Sequence, residues 1–137
     1  MRSPAHLLHR AGQVATALFD HAVPGTLTPR QFAVLTAIAQ YDGANQTILT
    51  AATGIDRSTL SDVVRRLTQQ GYVQRQRSEE DARAYVVRLT NEGRDLVRVA
   101  GPKVARTEQK LLACIPQARR ASFVEALHSI AIALGKP

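Results

Sequence analysis

The side chains best suited to chemistry fall into two polar, basic clusters. The first is Arg57, Ser58, Thr59, Ser61, Asp62, Arg65 and Arg66, interleaved with Leu60, Val63, Val64 and Leu67 at helical spacing. That periodicity turns the polar set outward from a helix whose other face is buried. The hydroxyls of Ser58, Thr59 and Ser61 can approach base edges or phosphates at the helix N-terminus. Arg65, two turns along on the side of Ser58 and Ser61, is long enough to reach a base edge or the backbone. The second cluster is Arg75, Arg77, Arg83 and Arg88, distributed over two short segments and the charged tip Ser78-Glu79-Glu80-Asp81-Ala82-Arg83. An arginine at a ribbon tip can enter a minor groove, where narrow A·T stretches concentrate negative potential. The acidic run beside it reads as shaping the turn. Each cluster also has a plainer reading: a solvated face on an amphipathic helix for the first, and for Arg75 and Arg77 a strand edge kept from aggregating by charge.

Other chemistries find little support. There is no glycine-rich phosphate loop, no nucleophile motif and no carboxylate pair in an evident cleft, so neither a catalytic residue nor a cofactor is expected. His6 and His9, at i and i+3, could share a metal, but the sole cysteine lies far away at Cys114. They read as polar residues of a first helix, with no metal site. Cys114 sits in the run Leu111-Leu112-Ala113-Cys114-Ile115 and reads as a buried, inert thiol.

The elements that must position the two basic clusters are legible from caps and periods. Residues 5–22 carry Leu7, Leu8, Ala11, Val14, Ala15, Leu18, Phe19 and Ala22 at helical spacing, ending at Pro24-Gly25. Thr28-Pro29-Arg30-Gln31 is a capping box with proline in the first turn, and Leu27 and Phe32 stand at staple spacing. Phe32, Leu35, Ile38 and Ala39 mark the expected buried face of that second helix. A short helix from Gln46 to Thr53, with Ile48, Leu49 and Ala52 inward, meets Gly54, Ile55 and the cap Asp56, and the polar helix then runs from Arg57 to Gln70. Two helices joined by a short glycine-containing turn fit a helix-turn-helix. The period then changes, and 72–77 and 84–89 read as two strands around the charged tip, a wing. Thr90 caps a long helical region that Gly101-Pro102 should kink, and a last helix spans about Gln117 to Leu134. The expected fold is mainly α: a winged helix-turn-helix with one β-hairpin, flanked by N- and C-terminal helices.

Length and composition agree. The chain has 137 residues, 45% hydrophobic and 21% charged, so one globular domain is expected. Eighteen Lys and Arg against eleven Asp and Glu leave a net charge of +7, which favours an anionic polymer as partner. No apolar run approaches a membrane span, the N-terminus lacks a signal-peptide core, and one cysteine permits no intrachain disulfide. A cytoplasmic protein is expected.

In this order, Leu27-Thr28-Pro29-Arg30-Gln31-Phe32-Ala33-Val34-Leu35, then Gly54-Ile55-Asp56-Arg57-Ser58-Thr59-Leu60, Arg66-Leu67 and Gln70-Gly71-Tyr72-Val73 resemble the MarR (multiple antibiotic resistance regulator) family. Asp81-Ala82-Arg83-Ala84 followed by Val87-Arg88-Leu89-Thr90-Asn91-Glu92-Gly93 resembles that family's wing signature running into its long dimerisation helix. The resemblance implies a single MarR-type domain over 1–137, with dimerisation helices at 5–26 and 91–137 and the winged helix-turn-helix at 27–90. It implies a homodimeric repressor on a pseudo-palindromic operator in double-stranded DNA. Each subunit would place one recognition helix in a major groove and Arg83 in the flanking minor groove, and a small, often aromatic, effector would release the DNA. His9, Arg10 and Gln13 lie on a first helix that in the family helps line the effector pocket. Ala82 stands where a further arginine is common, which removes one wing contact. Two other readings of the charge remain: a non-specific architectural DNA-binding protein, and a winged helix used for contact with another protein.

Overall fold

Among the described residues, six helices and one hairpin follow in chain order. They are α1 (Pro4–Ala22), α2 (Pro29–Gln40), α3 (Gln46–Thr53), α4 (Arg57–Gln69), β1 (Val73–Arg77), β2 (Tyr85–Leu89), α5 (Asn91–Ala113) and α6 (Gln117–Leu134). The computed structural model describes residues 2–135 apart from Pro24 and Thr26, so the expected stop at Pro24 lies outside the described residues. The chain divides into two compact units, Leu27–Gly101 on one hand and Met1–Thr26 with Pro102–Pro137 on the other. No helix among the described residues is long and apolar enough to cross a membrane.

Within Leu27–Gly101 the caps form as the sequence requires. Gln31 N donates to Thr28 Oγ1 and Thr28 N to Gln31 Oε1, both at 3.1 Å, closing the capping box of α2. Asn45 caps α3 by accepting from Ile48 N at 2.9 Å. Gly54 ends α3 at φ +69°, a left-handed conformation that lets the chain turn at once into α4. α2 is the central element, packed on α3, α4 and β2. Its buried positions are Gln31, Val34, Leu35, Ala37 and Ile38, whereas the expected Ala39 is exposed and Phe32 only half-buried. Contact on several sides widens the buried arc beyond the single stripe that periodicity suggests. On α3 only Leu49 is buried; Ile48 and Ala52, expected inward, are exposed, because a two-turn helix lying on α2 and α4 covers one narrow line. Leu35, Ile38, Leu49, Leu60 and Leu67 are the largest fully buried side chains and form the centre of this unit.

β1 and β2 pair antiparallel with Val73 opposite Leu89 and Arg77 opposite Tyr85. The pleat puts Val73, Arg75 and Arg77 on the same ribbon face as Tyr85, Val87 and Leu89. Val73, Val87 and Leu89 are buried, so that face lies against the helices. The start of α5 is tied to the same unit. Thr90 accepts from Gly93 N at 3.1 Å as its cap and donates through its hydroxyl to Gly71 O at 2.6 Å. α5 continues through Gly101-Pro102 rather than breaking there, although proline removes the donor to the Arg98 carbonyl.

In the other unit, Phe19 of α1 is buried, but α6 buries no residue. Leu7, Leu8 and Val14 on α1 and Phe123, Val124, Leu127, Ile130 and Ile132 on α6 are all exposed. Cys114 is exposed, which corrects the expectation of a buried thiol: α5 ends at Ala113, so Cys114 lies in the turn past the helix and not on its covered line.

Gly93 approaches Tyr72 so closely that an added Cβ would stand 2.1 Å from the Tyr72 carbonyl oxygen. Glycine to alanine within a helix ordinarily stabilises by roughly 1 kcal/mol. Here the sign should invert, with Gly93→Ala costing about 1–3 kcal/mol in urea unfolding. An unchanged or higher midpoint would show that α5 does not start this near Tyr72.

Candidate nucleic-acid interface

The polar face of α4 begins with an unusually well-satisfied cap. Asp56 Oδ1 accepts from Thr59 N and from Ser58 Oγ, both at 2.9 Å, and Oδ2 accepts from Thr59 Oγ1 at 2.8 Å. The Thr59 amide first, then the Thr59 and Ser58 hydroxyls, hold the Asp56 carboxyl down to about 2 from its ordinary 3.8. Ser58 and Thr59, expected as free donors, are thus committed to the cap. Ser61 is half-buried and receives a hydrogen bond from Gln46 Nε2, which also donates to the Arg57 carbonyl at 3.3 Å. Gln46 therefore braces α3 against the first two turns of α4.

Acidic side chains sort the arginines of α4 and the wing into two groups. Asp62 pairs with Arg65 and, at 3.2 Å, with Arg66. Asp42 pairs with Arg88 at 2.6 Å, and Arg88 Nε also donates to Gln76 Oε1 at 3.1 Å, so Arg88 anchors the wing to the loop after α2. Asp81 shapes the wing turn as expected, accepting from Arg83 N at 3.0 Å, while Ser78 Oγ accepts from the amides of Glu80 and Asp81. Arg57, Arg75, Arg77 and Arg83 are exposed, and among the described residues none has a carboxylate within 4.0 Å. Arg57 Nη2 instead lies 3.4 Å from the neutral Thr47 Oγ1.

Three of those four unpaired arginines meet at a groove of about 410 Å³ between the α3–α4 pair and the wing. Gln46, Thr47, Arg57, Arg75, Arg83 and Tyr85 contribute to its wall, and no Asp or Glu does. Tyr85 is 53% exposed there. Neither Gln46, Thr47 nor Tyr85 stood out in the sequence. Tyr85 read as one more strand-former, and the helix start at Gln46 carried no sign that its side chain would cross to α4.

The expected effector residues lie on α1. His9 and Gln13 share an open face with Leu8, Thr16 and Asp20, whereas Arg10 is not part of that face. No group of three or more His, Cys, Asp or Glu side chains able to hold a metal occurs among the described residues.

Residues 27–85 match the sequence model of the MarR family. The transcriptional regulator HosA of Escherichia coli O157:H7 is 31% identical over 120 residues, 88% of each chain. Among solved structures, the transcriptional regulator PcaV of Streptomyces coelicolor, in complex with its natural ligand, superposes with a TM-score of 0.91 at 33% identity, over 96% of this chain and 94% of that one. BpsR of Bordetella bronchiseptica, whose DNA binding is regulated by 6-hydroxynicotinic acid, gives 0.88 at 30% identity, over 95% and 94%.

The cap makes a pH prediction. Asp56 is more acidic folded than unfolded, so its contribution to stability is complete above 3.8 and is lost as pH falls through about 2. Asp56→Asn keeps an acceptor for the Thr59 amide but cannot titrate. The wild type should therefore lose more stability than the variant across that window in pH-resolved chemical unfolding. Parallel curves would show that the cap is not the titrating element.

Proposed function

Because the chain belongs to the MarR family, we propose that it is a sequence-specific transcriptional repressor, a regulator and not an enzyme. It acts in the cytoplasm as a homodimer on a pseudo-palindromic duplex and leaves the DNA when a small aromatic effector binds. In this reading 27–90 is the DNA-binding part and 5–26 and 91–137 supply the dimerisation helices. Arg57, Arg65, Arg75, Arg77 and Arg83 meet DNA directly. Ser58, Thr59, Ser61 and Asp62 belong to the same surface and set the pose of α4 and its arginines.

The observation that carries the reading is the set of four exposed arginines without a carboxylate partner on α4 and the wing. A wing used for protein contact has no need to keep them unpaired, and an architectural protein has no need of a braced and capped recognition helix. The exposed apolar side chains of α1 and α6 suit a second copy of the chain, since faces of that size are seldom left to water. The effector class follows BpsR, which responds to an aromatic carboxylate. On α1, His9 and Gln13 offer hydrogen-bond donors to such an anion from one open face, and Arg10 adds a cation on the same helix but off that face.

Two outcomes are expected. Sedimentation velocity at micromolar concentration should show one dimeric species, and a folded monomer there would end the dimer reading. Arg83→Ala should weaken binding to a selected operator by about 1–3 kcal/mol while the melting temperature stays unchanged, since a wing tip buries little apolar area. Tight binding by that variant would remove Arg83 from the interface. Equal affinity of the wild type for operator and random duplex at physiological salt would reject a sequence-specific repressor.

A further inference from the structure

We propose that Asp42 and Arg88, neither of which meets DNA, are positioning residues that set the pitch of the wing and so aim Arg83. The proposal rests on the DNA-binding reading above and adds two residues that lie outside its contact surface. One consequence is an acidic side chain that strengthens DNA binding, the reverse of what charge alone dictates.

The wing is braced along its length. Antiparallel pairing runs from Val73–Leu89 to Arg77–Tyr85, and beyond it Ser78 N donates to Ala84 O and Ala84 N to Asp81 O, both at 3.0 Å. A tilt at the base is therefore carried to the tip. Arg83 lies about 13 Å beyond Val87 at strand rise, so a rotation of about 10° at the base moves it by about 2 Å, more than a hydrogen bond tolerates. One face of the base is held by the burial of Val73, Val87 and Leu89 and by the bond from Val87 N to Ala44 O at 2.9 Å. The other face is held by Arg88. Alternation turns its side chain away from that of Val87, onto the face it shares with Gln74, Gln76 and Val86. There Nη1 meets Asp42 Oδ2 at 2.6 Å and Nε donates to Gln76 Oε1 at 3.1 Å, so one guanidinium ties the loop after α2 to both strands. Gly43 completes the seat. It adopts φ +71°, and a Cβ there would stand 2.8 Å from Arg88 Nη2, so the guanidinium fills the space that a side chain at 43 would need. Arg88 takes no part in the groove lined by Arg57, Arg75 and Arg83, which separates its role from theirs.

The sign of the Asp42→Ala effect is the test. That substitution removes a negative charge and frees a guanidinium, so charge alone would make DNA bind more tightly. A positioning role requires weaker binding. Wild type, Asp42→Ala, Arg88→Gln, Arg83→Ala, and Asp42→Ala combined with each of the other two are measured by fluorescence anisotropy on a selected operator and on random duplex. Circular dichroism establishes that each variant is folded. Asp42→Ala should weaken operator binding by about three- to fivefold, the span an exposed ion pair can supply. Arg88→Gln should lose a similar factor, and the two together no more than either alone, since the tie is already broken. In the Arg83→Ala background Asp42→Ala should have no measurable effect, because the side chain it aims is gone. Amide hydrogen exchange on the free protein reads the tie without DNA: Val87 N–H should exchange about three- to fivefold faster in Asp42→Ala than in wild type. Tighter binding by Asp42→Ala, a loss of the same size with and without Arg83, or unchanged Val87 exchange would each overturn the positioning role. A wild type that binds neither duplex rejects the DNA-binding reading itself, whereas normal wild-type binding with tighter binding by Asp42→Ala rejects only the role of Asp42 and Arg88, so the two failures are read separately.

Discussion

Among the described residues, one backbone hydrogen bond ties the strands of the wing to the chain outside their own hairpin. Val87 N donates to Ala44 O at 2.9 Å, making the segment after α2 a one-residue third strand. A two-stranded ribbon is marginal by itself in water, and a third partner is what holds it against the helices. The contact has local support. The Arg88–Asp42 pair closes over it from the outer face, and Val87 is buried on the inner one. Because Val87 lies midway along β2, fixing it fixes the pleat, and the pleat in turn decides that Arg75, Arg77 and Tyr85 face the helices' side. A slip of one residue would turn Gln74, Gln76 and Val86 to that side instead. The groove therefore owes its chemistry to this contact together with the burial of Val73, Val87 and Leu89 on the same face.

The distribution of acids is the second constraint, and it corrects a simple reading of net charge. Residues 27–101 hold ten arginines against eight acidic residues, so most of the chain's +7 lies outside the winged helix. The bulk charge pointed to an anionic partner, but it does not identify the surface. What distinguishes the groove is where the acids are: Asp62 beside Arg65 and Arg66, Asp42 beside Arg88, Asp56 in a cap, Asp81 in a turn. Field strength at a surface depends on this local placement more than on the total.

Helix starts were legible in the sequence because a cap is a local event. Thr28, Asp56 and Thr90 each satisfy an amide three residues ahead, and that needs no knowledge of the rest of the chain, although Asn45, which caps α3 in the same way, did not stand out. The strand pair and its tip were legible for a similar reason, since the change of period and the turn chemistry are local too. Burial was less so. Ala39, Ile48 and Ala52 are apolar and exposed, because which side of a helix is covered depends on elements distant in sequence. The site was half legible. Arginines announce themselves by type, but whether one is neutralised by Asp42 or faces neutral Thr47 is decided by tertiary contacts. Tyr85 and Gln46 carried no local signal of either role.

The pairing of Arg65 with Asp62 bears on how α4 can read sequence. An exposed pair three residues apart contributes between about 0 and 1 kcal/mol. A bidentate contact from arginine to guanine is worth roughly 1–3 kcal/mol of discrimination. On the proposed DNA-binding reading a guanine contact outweighs this ion pair, so the pair is no obstacle to it. Asp62 is also shared with Arg66, so it keeps an ion-pair partner if Arg65 turns to DNA. With Ser58 and Thr59 held by Asp56 and Ser61 held by Gln46, the start of α4 is fixed. A base-reading role for Arg65, as proposed, would require that the helix carrying it does not move. The cap at Asp56 and the brace from Gln46 supply that rigidity.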